Sequence, residues 1–377
     1  MSFLQNLPEW RLQQAAVLFV ILGLCLASGV GRFRAFVTAH PWLALGTLVL
    51  ADAALLLWAT TPFVPDGIDE CQFAVNSHVL RGADLGFSWM RTPLPSLGAA
   101  ALPGFPIAGG ILCKELCTLL AFLLARQGLG TGFGLLAALW TSIASQLAGN
   151  ACYLLSEPYG ALGLAAFALA AARGGRVAAL GLIGGLAFAS RWQLGMLWPF
   201  VVWLGWRGGR RWKGALLGTL LFLLPVLAGT LWMDADPLRA FQQESAREVS
   251  VLERLSAYLH PGSGLGLGIA GLVLAALGAL RLLARNESRP ELVWCAVLFL
   301  ANALVVSSIG VITTRFFVPS VPLGAVLMAS GAAELQPRLG LLRRSGWAAL
   351  LLGAVSLSSA LPVRAPKIRH VKQASLQ

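Results

Sequence analysis

Apolar runs of membrane-spanning length follow one another along almost the whole chain, separated by short stretches rich in Arg, Gly and Pro. They lie near 13–30, 42–63, 106–125, 129–154, 158–172, 177–190, 194–206, 215–232, 263–283, 292–312, 317–334 and 346–362. A helix needs roughly 17–25 such residues to cross bilayer hydrocarbon, so the pattern predicts an all-α polytopic membrane protein, a bundle of about 11–13 transmembrane helices. Residues 1–377 are expected to form a single transmembrane domain. Two segments depart from the pattern. In the loop 64–105 the apolar positions Cys71, Ala74, Val75 and Val79 fall at i, i+3, i+4 and i+8 and predict a short interfacial helix. In 234–262, Leu238, Phe241, Ser245, Val249, Leu252, Leu255 and Leu259 advance by three or four between charged positions, which predicts an amphipathic helix lying in the headgroup layer.

Composition strengthens this reading. Hydrophobic residues make up 57%, charged residues 12%, and the mean hydropathy is +0.75, outside the range of soluble domains. The net charge of +12 is spread over turns rather than gathered on one surface, and no nucleic-acid motif accompanies it. Placing Arg32, Arg34, Arg126, Arg173, Arg176, Arg207, Arg211, Lys213, Arg281, Arg289 and Arg343 on the cytoplasmic side puts both long loops on the opposite face, as the positive-inside rule favours. The basic tail 363–377 conflicts with that alternation if 346–362 crosses. The six cysteines lie mostly in apolar runs without a metal-ligand spacing, and Cys113 with Cys117 reads as helix packing. The first apolar run lacks a basic n-region, so no cleavable signal peptide is expected. GSGLGLG (262–268) is preceded by no strand and reads as helix entry rather than a phosphate loop.

Four motifs occur in a telling order. The acidic pair Asp69-Glu70 opens the first loop and is followed by VLRGAD and by Met90-Arg91-Thr92-Pro93-Leu94. LLSEPYGALGLAAFALA (154–170), GLIGGLAFASRWQLGMLWP (181–199) and ITTRFFVPSVPLGAVLMASGAA (312–333) come later. Together they resemble the GT-C superfamily of integral-membrane glycosyltransferases that use polyprenyl-phosphate-linked sugars. Within it the DE-CQF, RWQ and RFFVPSVP elements look most like the dolichol-phosphate-mannose-type mannosyltransferases and their bacterial relatives. The chain departs from that pattern in DGIDE, where those enzymes tend to carry His-Pro-Asp-Glu, and in having no large soluble C-terminal domain.

The resemblance implies transfer of a hexosyl group, mannosyl for the nearest subfamily, from a polyprenyl-phosphate donor to a hydroxyl on a glycan, lipid or protein acceptor. It implies an inverting, metal-independent reaction without cofactor, on the non-cytoplasmic face of a membrane such as the bacterial inner membrane. Such chemistry must deprotonate the acceptor, align it with the anomeric carbon and neutralise the departing phosphate. The catalytic expectation is Asp69 as general base with Glu70 orienting the acceptor or acting itself; Asp69 could also cap its helix, and the roles are compatible. Arg191 and Arg315, stranded at outer span ends against the charge trend, are the expected phosphate ligands, with headgroup snorkelling or Arg191–Trp192 stacking as the structural alternatives. Arg91, Lys114, Glu157, His78 and His260 complete the substrate-binding set. Lys114 could instead pair with Glu115 or Glu157 without chemical role, and Glu157 is expected to shape the site. Two other functions fit such a chain: a transporter or flippase for lipid-linked sugars, and an inactive accessory protein.

Overall fold

The computed structural model describes residues 35–59, 68–86, 92–152, 154–208, 211–233, 236, 267–285, 289–308 and 314–338, apart from 38, 103 and 104. Among the described residues all regular structure is helical: α1 (Pro41–Ala59), α2 (Ile68–Leu80), α3 (Pro93–Ala101), α4 (Ala108–Leu129), α5 (Thr131–Ile143), α6 (Ser145–Cys152), α7 (Glu157–Ala172), α8 (Val177–Ser190), α9 (Trp198–Arg207), α10 (Arg211–Met233), α11 (Gly268–Arg285), α12 (Pro290–Ser308) and α13 (Val321–Arg338). Two 3₁₀ turns, Trp192–Leu197 and Thr314–Ser320, lead into α9 and α13. The apolar runs from 42–63 to 317–334 all fall on helices. The runs 13–30 and 346–362, the 234–262 helix and the basic tail lie outside the described residues.

Among the described residues four segments, Ala108–Leu129, Arg211–Met233, Pro290–Ser308 and Arg315–Leu335, are each long and apolar enough to cross a membrane, and the pair α5–α6, bent by 52°, is a fifth if the two helices form one span. The run 194–206 is not a crossing by itself. Arg191 adopts an extended backbone (φ −158°, ψ 118°) that ends α8, and α9 restarts only at Trp198, with Pro199 in its first turn where a missing N–H costs nothing. Its 10 residues reach about 15 Å, half a bilayer. The pattern also passed over α3, a 9-residue helix inside the first loop that begins with Pro93 and is too short to show a period.

One end of the bundle is basic. Arg126 near the end of α4, Arg173 after α7, Arg207 at the end of α9, Lys213 at the start of α10 and Arg289 before α12 all sit there, and Arg289 donates to the Gly128 carbonyl. Arg126 lies over Trp42 at 5.4 Å, Arg207 over Trp203 at 4.9 Å and Lys213 over Trp212 at 5.7 Å. Such amphipathic cation–aromatic pairs mark a headgroup level. On α10, Trp212 and Trp232 are both exposed, and between them Leu216, Leu217, Leu220, Leu223, Leu224, Leu227 and Leu231 are exposed as well. The two tryptophans are separated by roughly 30 Å of helix, the thickness of bilayer hydrocarbon, which makes α10 a lipid-facing ruler.

The opposite end collects the starts of α4, α7 and α11 and the ends of α8, α10 and α12. There α2 packs on α3, burying Phe73 against Ala99 and Leu154, while Cys71, Val75 and His78 stay exposed. Close backbone approach holds the rest. α8 and α10 run parallel with Gly181 against Gly218 and Gly185 against Phe222, and α13, almost wholly buried, meets α11 through Gly278 on Leu327 and Gly331 on Leu274. With lipid as solvent, such small-residue contacts supply the van der Waals packing that the hydrophobic effect does not.

A side chain at Gly331 would overlap the Leu274 carbonyl, whereas Gly132 has nothing within 4 Å. Gly331→Val is therefore expected to destabilise the detergent-solubilised protein by about 1–3 kcal/mol, seen as a lowered thermal midpoint, and Gly132→Ala to leave it unchanged. Equal midpoints for the two variants would contradict this packing.

Candidate active site

The end opposite the basic one holds the largest set of buried polar side chains. Ser156 precedes α7 but does not cap it with its side chain. Its Oγ instead accepts from Arg191 Nη1 at 2.9 Å. Glu157 opens α7, where the helix dipole favours a carboxylate, and its Oε1 lies 2.8 Å from Arg191 Nη1 and 3.5 Å from Arg315 Nε. Two arginines far apart in sequence thus meet on one oxygen. Gly160, one turn into α7, packs against the shaft of the Arg191 side chain.

Arg191 makes further contacts through its Nε and its guanidinium face. Its Nε donates to Gln193 Oε1 at 2.9 Å, and its guanidinium lies 4.6 Å over the Phe316 ring. Gln193 Nε2 donates to Asn302 Oδ1 at 2.8 Å and to the Phe316 carbonyl at 2.7 Å, and Asn302 Nδ2 donates to Ser320 Oγ at 2.6 Å. Gln193, Asn302 and Ser320 are all buried. Arg315 lies in the same turn as Phe316, 6.0 Å from its ring centre, with its side chain 37% exposed against 8% for Arg191. Arg191 is thus the buried member of the pair and Arg315 the partly exposed one.

The carboxylates expected to act as base fall in the first turn of α2, so Asp69 is a helical residue and not the cap before the helix. The side chains of Asp69 and Glu70 lie outside the described residues. Their helix is placed by Phe73, which packs on Leu154 just ahead of Ser156 and Glu157. Arg91 and His260 lie outside the described residues. His78 is exposed and 3.1 Å from Arg81 Nη2, away from the arginine pair's contacts.

Lys114 belongs to a second cluster. It is fully buried and pairs with Glu115 Oε1 at 3.0 Å and with Asp52 of α1, which also accepts from Ser142 of α5. Of the two pairings expected for it, the one with Glu115 is present, and Glu157 is engaged by the arginines instead. The cluster adjoins the arginine site, since Cys117, one turn beyond Lys114, has its Sγ 4.0 Å from the Pro158 carbonyl. Among the described residues no group of three or more His, Cys, Asp or Glu is arranged to hold a metal ion. Pattern reading passed over Asp52, Ser142, Ser156, Asn302 and Ser320. The available signal was a single polar residue inside an apolar run, as in LADAALLL for Asp52 and FLANALVV for Asn302.

The fold defines an all-α polytopic membrane protein, and among the described residues its buried polar side chains gather around Arg191 and Glu157 at one end of the bundle. No protein-family model matches the chain, and no curated protein matches it significantly. Among solved structures it is similar to ArnT from Cupriavidus metallidurans in the apo state, with a TM-score of 0.60 and 15% sequence identity over 81% of this chain and 62% of that one. At this identity the likeness shows the fold alone, and this chain spans 62% of the length of ArnT.

Removing the cation from a buried ionic group leaves its acids uncompensated, at a cost of about 3–5 kcal/mol. Lys114→Met should lower folded yield and thermal midpoint accordingly, and Asp52→Asn in the same chain should restore part of the loss. No loss in the single variant would show that Lys114 does not hold α1, α4 and α5 together.

Proposed function

We propose that the protein is a glycosyltransferase that moves a sugar from a polyprenyl-phosphate donor to an acceptor hydroxyl at the non-cytoplasmic face of the membrane, by inversion and without metal. The observation that carries this reading is the convergence of Arg191 and Arg315 on the Glu157 carboxylate, beside the helix that bears Asp69 and Glu70. A site that already seats a carboxylate oxygen between two guanidinium groups suits the oxygens of a lipid-linked phosphate, because charge-assisted hydrogen bonds strengthen where water is excluded. The fold shared with ArnT and the order of the GT-C-like motifs support the same class.

In this reading Asp69 takes the acceptor proton and Glu70 orients the acceptor. As the glycosidic C–O bond to the phosphate breaks, Arg315, the more exposed arginine, takes up the charge on the leaving oxygen, and Arg191 with Glu157 keeps it in place. In the same proposal Arg91, His260 and His78 act on donor or acceptor. Lys114 contributes through the packing of α4 beside Pro158. A hexosyl group, mannose by the nearest motif resemblance, is the proposed cargo, and the bacterial inner membrane the proposed location. The basic end then faces the cytoplasm.

The test is incubation of the full-length protein in membranes with a panel of radiolabelled polyprenyl-phosphate sugars. Asp69→Asn is expected to insert normally and lower turnover by about 10²-fold or more, with Glu70→Gln milder. Near-normal turnover in Asp69→Asn at normal protein level would move the base elsewhere. No transfer from any donor would favour a flippase or an inactive accessory protein. Arg315→Lys keeps the charge but loses the planar fork, so it should weaken donor use while leaving the thermal midpoint unchanged; unaltered donor use would remove Arg315 from the phosphate site.

A further inference from the structure

Gln193 uses its whole amide to join three segments of chain. Its oxygen accepts from Arg191 Nε, and its nitrogen donates to Asn302 on α12 and to the Phe316 carbonyl in the turn that carries Arg315. Asn302 repeats the pattern, donating to Ser320 at 2.6 Å and to the same Phe316 carbonyl at 3.4 Å. Both amides are buried, at 7% and 0% exposure. In bilayer surroundings an unsatisfied amide is costly, so the pair holds its partners to a narrow geometry. The two arginines have no covalent reason to stay together, since Arg191 follows α8 and Arg315 precedes α13. What fixes their relative position, besides Glu157, is the Phe316 segment, clamped at its carbonyl by the two amides and covered on its ring by Arg191.

We propose that Gln193, with Asn302 behind it, is the positioning residue of the anion site: it sets the separation and tilt of Arg191 and Arg315 and thereby the site's preference for a phosphate over an uncharged headgroup. The inference rests on the reading of the arginine pair as the donor-phosphate site, and it divides the labour there. Arg191, whose Nε and Nη1 are taken up by Gln193, Ser156 and Glu157 and whose face lies on Phe316, is mainly structural in role, and Arg315, the more exposed of the two, presents itself to the ligand from a turn that Gln193 and Asn302 hold in register. Neither amide is placed in contact with substrate.

The experiment uses the full-length protein in lipid nanodiscs and two probes, undecaprenyl monophosphate and the uncharged alcohol undecaprenol, whose affinities are compared by native mass spectrometry or fluorescence quenching. The ratio of the two affinities reads the phosphate contact alone, because general loosening of the bundle weakens both probes together. Wild-type protein is expected to prefer the phosphate, and Arg315→Ala to lose most of that preference. Gln193→Leu and Asn302→Leu, near-isosteric and suited to an apolar interior, are each expected to reduce the ratio by about tenfold, the equivalent of one well-placed charge-assisted hydrogen bond. The double variant should be no more than about twofold worse than the poorer single one, as befits members of one network.

A ratio unchanged from wild type in folded Gln193→Leu, while Arg315→Ala has lost it, overturns the positioning role and leaves the phosphate site standing. If Gln193→Leu does not fold, Asn302→Leu decides in the same way. Equal binding of both probes by the wild type overturns the phosphate site and the positioning role together.

Discussion

A buried carboxylate shared by two arginines is the constraint around which the rest of the molecule is arranged. Charges taken out of water are tolerated only when paired and hydrogen-bonded, and breaking a buried pair costs about 3–5 kcal/mol. Glu157 can serve Arg191 and Arg315 only if the start of α7, the end of α8 and the turn before α13 reach the same point, and each of those backbones is interrupted where it does so. α8 ends with an extended Arg191, a 3₁₀ turn follows, and a second 3₁₀ turn carries Arg315. Irregular backbone is admissible at membrane depth where it is buried in protein, and here the freed carbonyl of Phe316 is met by Gln193 and Asn302. Helix breaks, polar side chains and charges are one solution to one problem.

The close helix contacts follow from the same requirement. Gly163 lets α7 and α8 approach at Ala187, with the Arg191 shaft against Gly160 on the same face. Gly181 and Gly185 bring α10 against the other side of α8. Van der Waals contact at these positions is what keeps the two arginines within reach of a single oxygen atom.

The helical character of the chain was legible because apolar runs of spanning length have little else to form, and the arginine pair was legible because a charge at a span end has to be explained. Less could be read of which groups meet. Nothing in the spacing of Lys114 names Asp52, which arrives on α1, and the same holds for Asn302, which reaches Gln193 only through the packing of α12. Short elements were misjudged for different reasons: α3 holds too few residues for a period and its proline start resembles loop punctuation, while α9 lies in an apolar run whose interruption after Arg191 the pattern does not show. Asp69 and Glu70 were placed by the resemblance of their motif. The structure adds the seat of their helix through Phe73 and Leu154, and their side chains lie outside what it describes.

The two ionic clusters of the bundle differ in a way that separates their roles. At Lys114 one cation faces two acids, Asp52 and Glu115, and the lysine is fully buried, so the cluster has no positive field to offer a ligand. At Glu157 the described contacts set one carboxylate between two guanidinium groups, and the second of these is more than a third exposed. Arg315 makes the longer contact, 3.5 Å against 2.8 Å for Arg191, and is the more exposed of the two. A buried cation is sustained only while it keeps a partner, so the closer Arg191–Glu157 pair is the one whose loss leaves a charge uncompensated in the interior.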